Sequence, residues 1–280
     1  MRQAAEILVV EGNKGLLFGV DNYDYKLICM QILIGCAKTM RVAPQACGDV
    51  VAGVPHFVDN AAMIAEQMAV YDTDELQEIL GVGKKIAAEN RLRYQSWHAE
   101  ATLTPAVMAY DGMVFNKLSP QTLSGDDIRY ASEHLFIASF LYGLLRPTDL
   151  INPYRLEGAV SLPVTSYVSL FDYWKPLLTD WFIAKVKADD GVLVNLASNE
   201  FRKMFDWKRV EKSLTVVSPD FKVEEGGRLK NVTIYAKMCR GAMTRYIIEN
   251  RLSAPERLAE FCYEGFHHIG GYEFVLSSGM

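Results

Sequence analysis

The chain has 280 residues, of which 50% are hydrophobic and 22% are charged, a balance typical of a globular protein that can bury a full core. The formal net charge of −5 gives no overall attraction to nucleic acid or anionic lipid, so a site for a polyanion must come from local clustering of basic residues. The longest uncharged apolar runs, at residues 27–37 and 135–145, are shorter than the roughly 20 residues that span a bilayer, so no membrane partner is expected.

The first 29 residues differ in character from the rest of the chain. Glu6, Glu11 and Lys14 interrupt any apolar segment of the kind that a secretion signal requires, which favours a cytoplasmic location. Met30 is followed at once by the pattern of a buried strand. We therefore expect residues 1–29 to be an extension outside the core. Residues 30–280 are expected to form a single domain, which could divide into two lobes around a basic cleft.

The predicted helices begin at four recognisable signals. The first is a polar cap before an apolar stripe, the second is a capping box, the third is a polar pair after a strand, and the fourth is a proline in the first turn. In chain order these signals are Asp59 or Asn60 for a helix through about residue 71, Ser124 with Asp127, Asn199 with Glu200, and Ser253 with Pro255.

The two apolar runs predict buried strands, and the uncharged β-branched run at residues 192–196 predicts another. A hairpin is predicted further along, with strands at 215–217 and 231–235 on either side of a glycine turn. Strands and helices follow one another without strict βαβ alternation. The sequence therefore predicts an α+β fold, with a mixed sheet and surrounding helices.

The cysteine pattern argues against both disulfides and zinc. Five cysteines are odd in number and irregularly spaced, which disfavours a disulfide framework. No cysteine or histidine pair has the spacing of a zinc site. We predict reduced thiols that act mainly as small buried hydrophobic residues, with no metal and no cofactor.

The most specific local signal is a glycine turn between two helical patterns. Gly81 and Gly83 permit a tight turn and leave backbone N–H groups uncovered, at the amino end of a helix whose dipole favours an anion. Lys84 and Lys85 add positive charge at the same place. The segment resembles a helix-hairpin-helix motif, which grips DNA phosphates without reading sequence. The alternative is an ordinary connection between helices that happens to use glycine.

A dense group of polar side chains lies in the proline-containing loop at residues 142–157. Rigid loops on a scaffold often hold functional groups. Two guanidiniums beside two carboxylates could pair off, or could leave one arginine free to bind phosphate. A purely structural loop held by ion pairs is an equal alternative. The candidate functional residues of this loop are Arg146, Asp149, Tyr154, Arg155 and Glu157.

Two further polar clusters complete the candidate site. Asn195 and Ser198 follow the predicted strand at 192–196, while Lys237 and Arg240 lie in a strongly basic region. Residues 228–257 contain seven basic and two acidic residues, a local charge of 7 − 2 = +5. The alternative for this region is a solvated helix face.

These stretches together resemble the YaaA peroxide-stress family of bacterial cytosolic proteins. The matching motifs lie at residues 32–39, 141–150, 153–157, 195–198, 235–241 and 245–252. The resemblance implies a protein that limits damage under hydrogen peroxide, is linked to lower free intracellular iron, and binds DNA through a basic cleft on a mixed α+β fold. The positions that match family motifs, and that form the predicted polar cleft, are Lys38, Arg146, Asp149, Tyr154, Arg155, Glu157, Asn195, Ser198, Lys237 and Arg240.

Two positions depart from the family pattern. The hairpin reads Gly81-Val82-Gly83, which is closer to the general helix-hairpin-helix form than the serine-containing turn of the family and favours DNA contact in this member. Cys36 stands where relatives often carry proline. The resemblance therefore supplies no cysteine-based peroxide sensor.

The sequence is compatible with three functions. The first is DNA binding through phosphates, across the glycine hairpin and the 228–257 basic region. The second is an enzyme acting in the polar cleft on a phosphate- or carboxylate-bearing substrate, such as a nucleotide or a DNA lesion, with Lys38 as base or nucleophile if it is desolvated. Direct iron sequestration is the least favoured, because the carboxylates and histidines are scattered without a helical ligand spacing.

Overall fold

The computed structural model describes residues 29–41, 50–98 and 103–277, so the predicted extension lies almost wholly outside the described residues. Helices and strands are mixed, which confirms the α+β prediction. The helices are α1 (Val58–Ala69), α2 (Thr73–Leu80), α3 (Lys84–Gln95), α4 (Ala106–Ala109), α5 (Met113–Leu118), α6 (Gly125–His134), α7 (Leu170–Lys187), α8 (Asn199–Arg202), α9 (Trp207–Ser213) and α10 (Thr233–Asn250). The strands are β1 (Gln31–Gly35), β2 (Thr39–Met40), β3 (Thr104–Pro105), β4 (Tyr110–Asp111), β5 (Leu135–Ser139), β6 (Gly143–Leu145), β7 (Leu150–Ile151), β8 (Val192–Asn195), β9 (Thr215–Val217), β10 (Asp220–Glu225), β11 (Arg228–Lys230), β12 (Phe266–Gly270) and β13 (Glu273–Leu276).

A five-stranded sheet with the order β6-β5-β1-β8-β9 forms the centre of the protein. Strand β1 lies in the middle and is parallel to both β5 and β8, β9 is parallel to β8, and β6 runs antiparallel to β5. A second sheet has the order β11-β10-β13-β12 and also mixes parallel and antiparallel pairs. These two larger sheets are therefore mixed, as predicted, and two further sheets have two strands each, β2-β4 and β3-β7.

The central strands supply the core. Ile32, Leu33 and Ile34 of β1 are fully buried, as are most residues of β5, which is the usual state of strands covered on both faces. Burying each such side chain contributes roughly 1.5–3 kcal/mol. Buried hydrophobic residues from Cys29 to Phe274 form one continuous cluster. Of the helices that the structure describes, none has the length and apolarity to cross a membrane.

The predicted helix starts are partly right. Ser124 accepts a hydrogen bond from the Asp127 N–H at 3.1 Å and forms the predicted capping box of α6. Helix α1 instead begins at Val58 after Phe57, without a side-chain cap, so neither Asp59 nor Asn60 caps it. The Val58 N–H donates to the Pro55 carbonyl at 3.1 Å, so the preceding backbone satisfies one of the free N–H groups of the first turn.

Two later elements differ from the prediction. The hairpin turn is correct, because Gly226 and Gly227 take φ values of 58° and 73°, but its strands are β10 and β11. Residues 215–217 instead form the edge strand β9 of the central sheet, and the β-branched run from Val232 opens α10. Packing of the long helix outweighs the local β propensity. The element at Pro255–Glu260 is a 3₁₀ helix rather than an α-helix.

Helix α10 packs very closely against α5, and Gly241 makes this approach possible. A Cβ atom at Gly241 would lie 2.1 Å from the Val114 carbonyl oxygen and 3.0 Å from the Lys117 Cβ. The carbonyl belongs to the backbone of α5 and cannot turn aside. The absence of a side chain at this position therefore sets the distance between the two helices.

We expect Gly241→Ala to lower the free energy of unfolding by about 2 kcal/mol, measured by urea denaturation. Overlap with a backbone atom costs about 3 kcal/mol, and the better helix propensity of alanine offsets about 1 kcal/mol of this. Gly125→Ala in α6 is the matched control, because its Cβ would meet only the mobile end of Arg129 at 3.5 Å. Equal stability of the two variants would contradict the close-packing argument.

Candidate functional site

A cavity of about 280 Å³ opens at the carboxyl ends of the parallel strands. Gly35 and Cys36 line it where β1 ends, Phe140 lines it just after β5, and Leu196 lines it just after β8. From β1 the chain passes first to β5 on one side and later to β8 on the other. Ligands of open sheets bind outside the carboxyl ends of strands at such a switch point. This cavity, called the cleft below, is the candidate site.

The structure brings most of the predicted site residues to the cleft. Further lining comes from two carboxylates, Asp111 and Glu200, and from the aromatic rings of Phe115, Phe140 and Phe201. The predicted residues that line the cleft are Lys38, Tyr154, Arg155, Ser198, Lys237 and Arg240.

Glu157 joins the cleft through ion pairs. Its Oε2 lies 2.8 Å from Lys38 Nζ, and its Oε1 lies 2.8 Å from the Arg155 guanidinium. Arg155 also donates to the Lys38 carbonyl oxygen at 3.2 Å. The Glu157 and Arg155 side chains are each 19% exposed, whereas that of Lys38 is 59% exposed. One carboxylate therefore holds two cations of the cleft together and offsets part of their charge.

The Tyr154 hydroxyl is buried and anchors the loop that carries these residues. It lies 2.7 Å from Ser139 Oγ at the end of β5 and 2.9 Å from the Tyr110 hydroxyl on β4. Burial raises the pKa of the Tyr154 phenol well above its ordinary value, so the group stays neutral. Its role in the structure is to position the loop.

Helix α10 supplies the cations of the cleft that are not paired. Lys237 and Arg240 are three residues apart and therefore lie on the same side of the helix. Neither forms an ion pair with any carboxylate among the residues that the structure describes. Burial, and then the neighbouring Arg202 charge, lower the pKa of Arg240. An anion bound in the cleft would favour the charged form of Arg240 and would therefore oppose both effects on its pKa.

Arg146 and Asp149 are placed away from the cleft. The Arg146 guanidinium donates to Gln31 Oε1 at 3.1 Å and to the Leu135 carbonyl at 3.2 Å, and it stacks 3.5 Å above the Phe136 ring. Gln31 and Leu135 begin β1 and β5, so these contacts lie at the opposite, amino end of the sheet. Asp149 accepts from the Arg146 N–H at 2.8 Å and closes the turn between them. Both residues support the sheet.

Asn195 lies beside the cleft without lining it. It is buried at the end of β8. With its amide oxygen turned toward Arg202, it accepts from the guanidinium at 2.9 and 3.2 Å. Ser218 Oγ lies 3.3 Å from the same amide. Asn195 therefore positions Arg202, the last residue of α8, whose preceding residues Glu200 and Phe201 line the cleft.

The glycine hairpin has the predicted pair of helices, α2 and α3, joined by a tight turn. Gly81 adopts the left-handed conformation at φ +60°, and Gly83 precedes α3 without a side-chain cap. Lys84 forms an ion pair with Asp74 at 2.9 Å, whereas Lys85 is exposed and has no such pair among the described residues. Residues 72–95 contain four basic and five acidic residues, a net charge of 4 − 5 = −1. DNA contact by this hairpin stays a prediction.

Asp111 was not predicted as a site residue. It reaches the cleft because β4 pairs with β2, which places Asp111 opposite Thr39. No local pattern marks a two-residue strand of this kind, so the sequence carried no signal for it. Within the described part of the chain, no three His, Cys, Asp or Glu residues group closely enough to hold a metal ion.

The fold and the cleft define a class of protein: a mixed α+β protein with a cationic, partly enclosed site at the switch point of its central sheet. The family model described as peroxide stress protein YaaA matches residues 30–269. The chain is 50% identical to a UPF0246 protein of Bacteroides fragilis over 85% of this chain and 92% of the relative. It is 44% identical to a UPF0246 protein of Porphyromonas gingivalis over 85% and 93% of the respective lengths. The chain belongs to the YaaA peroxide stress protein family.

Cys36 lines the cleft, but its thiol should not react with peroxide at neutral pH. Burial raises the pKa of the Cys36 thiol to about 12, so about one thiol in ten thousand is ionised at pH 8. We expect alkylation by iodoacetamide, mapped by mass spectrometry, to modify the exposed Cys262 long before Cys36. Equal labelling rates of the two residues, or a sulfenic acid at Cys36 after mild peroxide treatment, would contradict this.

Proposed function

We propose that the chain acts in the peroxide stress response as a DNA-binding protein, and that this binding helps to limit iron-dependent oxidative damage. The observation that carries the proposal is the pair of unpaired cations, Lys237 and Arg240, on the cleft side of α10. In a chain of net charge −5, such a local excess of positive charge is the feature that attracts a polyanion.

Phosphate is the part of DNA that this arrangement suits best. Arg240 offers a planar fork of donors, and Lys237 offers an exposed point charge one turn away. Arg155 and Lys38 lie in the same cleft but are partly neutralised by Glu157. Contacts of this type fix the position of a DNA backbone and carry no sequence information. The proposed binding is therefore not sequence-specific.

The glycine hairpin would add a second, weaker contact. Lys85 is exposed and Gly83 leaves the start of α3 without a side-chain cap, so the helix dipole would favour an anion there. Lys84 is already held by Asp74. Tyr94, near the other end of α3, donates to the Arg155 carbonyl at 2.6 Å. Helix α3 thus leads from the hairpin to the cleft loop.

We expect Arg240→Gln and Lys237→Gln each to weaken DNA binding about tenfold, because a hydrogen bond to a charged group contributes roughly 1.5 kcal/mol. Fluorescence anisotropy with a labelled duplex across a salt series measures this. Each lost phosphate contact should reduce the slope of log affinity against log salt by about 0.9. Lys187→Gln, at the far end of α7 near the amino end of β8, removes the same charge away from the cleft and should leave the affinity unchanged.

Glu157→Gln provides the opposite test at the same site. Removing this carboxylate frees Lys38 and Arg155, so DNA should bind more tightly while Arg240→Gln binds more weakly. Equal weakening in the Lys187, Arg240 and Lys237 variants would contradict a role for the cleft. Loss of affinity only in Lys84→Ala with Lys85→Ala would move the contact to the hairpin.

A second candidate function is an enzyme that acts on a small phosphate- or carboxylate-bearing substrate. The observation that favours it is the partial enclosure of the cleft, whose volume of about 280 Å³ is close to the lower limit of small-molecule sites. The Lys38 side chain is 59% exposed, so the desolvation that would turn a lysine into a base or nucleophile is not present. Lys38 would contribute charge to such a site.

Calorimetry separates the two candidates. If the cleft is a small-molecule site, nucleoside monophosphates should bind and Lys38→Ala should weaken them at least fivefold, because the variant removes one charge-assisted contact. Lys187→Ala, which removes an exposed charge at the end of α7 that does not line the cleft, is the matched control. Nucleotide binding without any DNA binding would replace the first candidate with the second.

A further inference from the structure

A second groove lies on the other side of α8 from the cleft. It is open and has a volume of about 410 Å³. Its lining includes three cations, one carboxylate and two partly exposed aromatic rings. These residues are Lys175, Arg202, Lys203, Asp172, Phe171 and Trp207, and they are called the Trp207 groove below.

Helix α8 forms the wall that the cleft and the Trp207 groove share. Glu200 and Phe201 line the cleft, while the next two residues, Arg202 and Lys203, line the groove. Because adjacent residues of this four-residue helix line the two sites, a polymer that leaves the cleft over α8 reaches the groove.

The charge of the Trp207 groove suits a phosphate backbone. Its one lining carboxylate, Asp172, is paired with Lys175 at 2.7 Å. Arg202 and Lys203 have no ion pair with any carboxylate in the described ranges of the chain. Arg202 is held by Ser218 at 3.2 Å and stays in place without being neutralised. Two cations therefore face the groove with their charge available.

The aromatic rings indicate which form of nucleic acid fits. Lys203 Nζ lies 5.3 Å from the Phe171 ring centre, and the Arg202 guanidinium lies 5.1 Å from the Trp207 ring centre. Alternating cations and rings are typical of surfaces that bind single strands, where the cations contact phosphates and bases stack on rings or guanidinium planes. A duplex keeps its base faces covered and offers them no partner.

We propose that the Trp207 groove binds single-stranded DNA that continues from the cleft across α8. This inference rests on the proposed DNA binding by the cleft and narrows its substrate class to DNA with single-stranded character. A strand would place phosphates near Arg202 and Lys203 and would stack a base against Trp207.

The test compares a labelled single strand with a duplex of the same length and sequence by anisotropy. Lys203→Gln should weaken single-strand binding about fivefold or more and should change duplex binding less than twofold. Lys208→Gln is the matched control, because Lys208 is exposed on α9 and does not line the groove. Single-strand affinity that is the same in both variants would overturn the inference.

Tryptophan fluorescence gives an independent readout of stacking. Of the four tryptophans, Trp97 and Trp174 are 7% and 0% exposed. Trp181 is partly exposed but lies beside Arg146, away from the groove, so quenching by a single strand in the groove should come mainly from Trp207. Trp207→Phe should remove most of the quenching while keeping a ring in the groove. Quenching that persists in this variant would overturn the inference.

The two binding probes separate failure of this inference from failure of the proposed function. If the protein binds the duplex but binds the single strand only weakly, the inference about the Trp207 groove is wrong and the proposed DNA binding stands. If the protein binds neither probe, both are wrong.

Discussion

The buried hydroxyl of Tyr154 is the contact on which the arrangement of the cleft depends. It bonds to Ser139 at the end of a central strand and to Tyr110 on a strand that is distant in sequence. These bonds fix the loop whose next residues are Arg155 and Glu157. An unsatisfied hydroxyl at this depth would cost roughly 1–3 kcal/mol, so the three hydroxyls favour one loop position over its alternatives. The positions of the charged groups follow from a neutral network beneath them.

Among the described carboxylates of the cleft, Glu157 is the one that pairs with two of its cations. Glu157 pairs with both Lys38 and Arg155, and it leaves the α10 cations Lys237 and Arg240 unpaired within the described residues. The paired cations, Lys38 and Arg155, are fixed in position and help to shape the site. The unpaired cations, Lys237 and Arg240, supply its attraction for anions. Separating these two tasks lets a negatively charged protein keep a local region of positive potential.

Much of the fold could be read from the sequence, for identifiable reasons. The apolar runs that became β1 and β5, the capping box at Ser124 and the glycine turn after Gly81 are local signals, and the structure contains each of them. The predicted site residues that meet at the cleft follow strand ends or share one side of a helix. Arg146 and Asp149 could not be separated from them, because sequence adjacency does not reveal that their loop returns to the amino end of the sheet. The position of Asp111 in the cleft depends on the pairing of two-residue strands, and no local sequence pattern predicts such a pairing.

The ends of the two sheets have a consequence for the behaviour of the protein at high concentration. Open edges of apolar strands are templates for edge-to-edge aggregation. The central sheet ends in β6 and β9, which have three residues each, and β6 is fully buried. The second sheet ends on one side in β11, where exposed Arg228 and Lys230 flank a single leucine, and on the other in β12, whose register is interrupted between His268 and Gly270. Short, covered, charged or interrupted edges oppose the growth of intermolecular sheets, and the strongly apolar interior strands remain confined to one molecule.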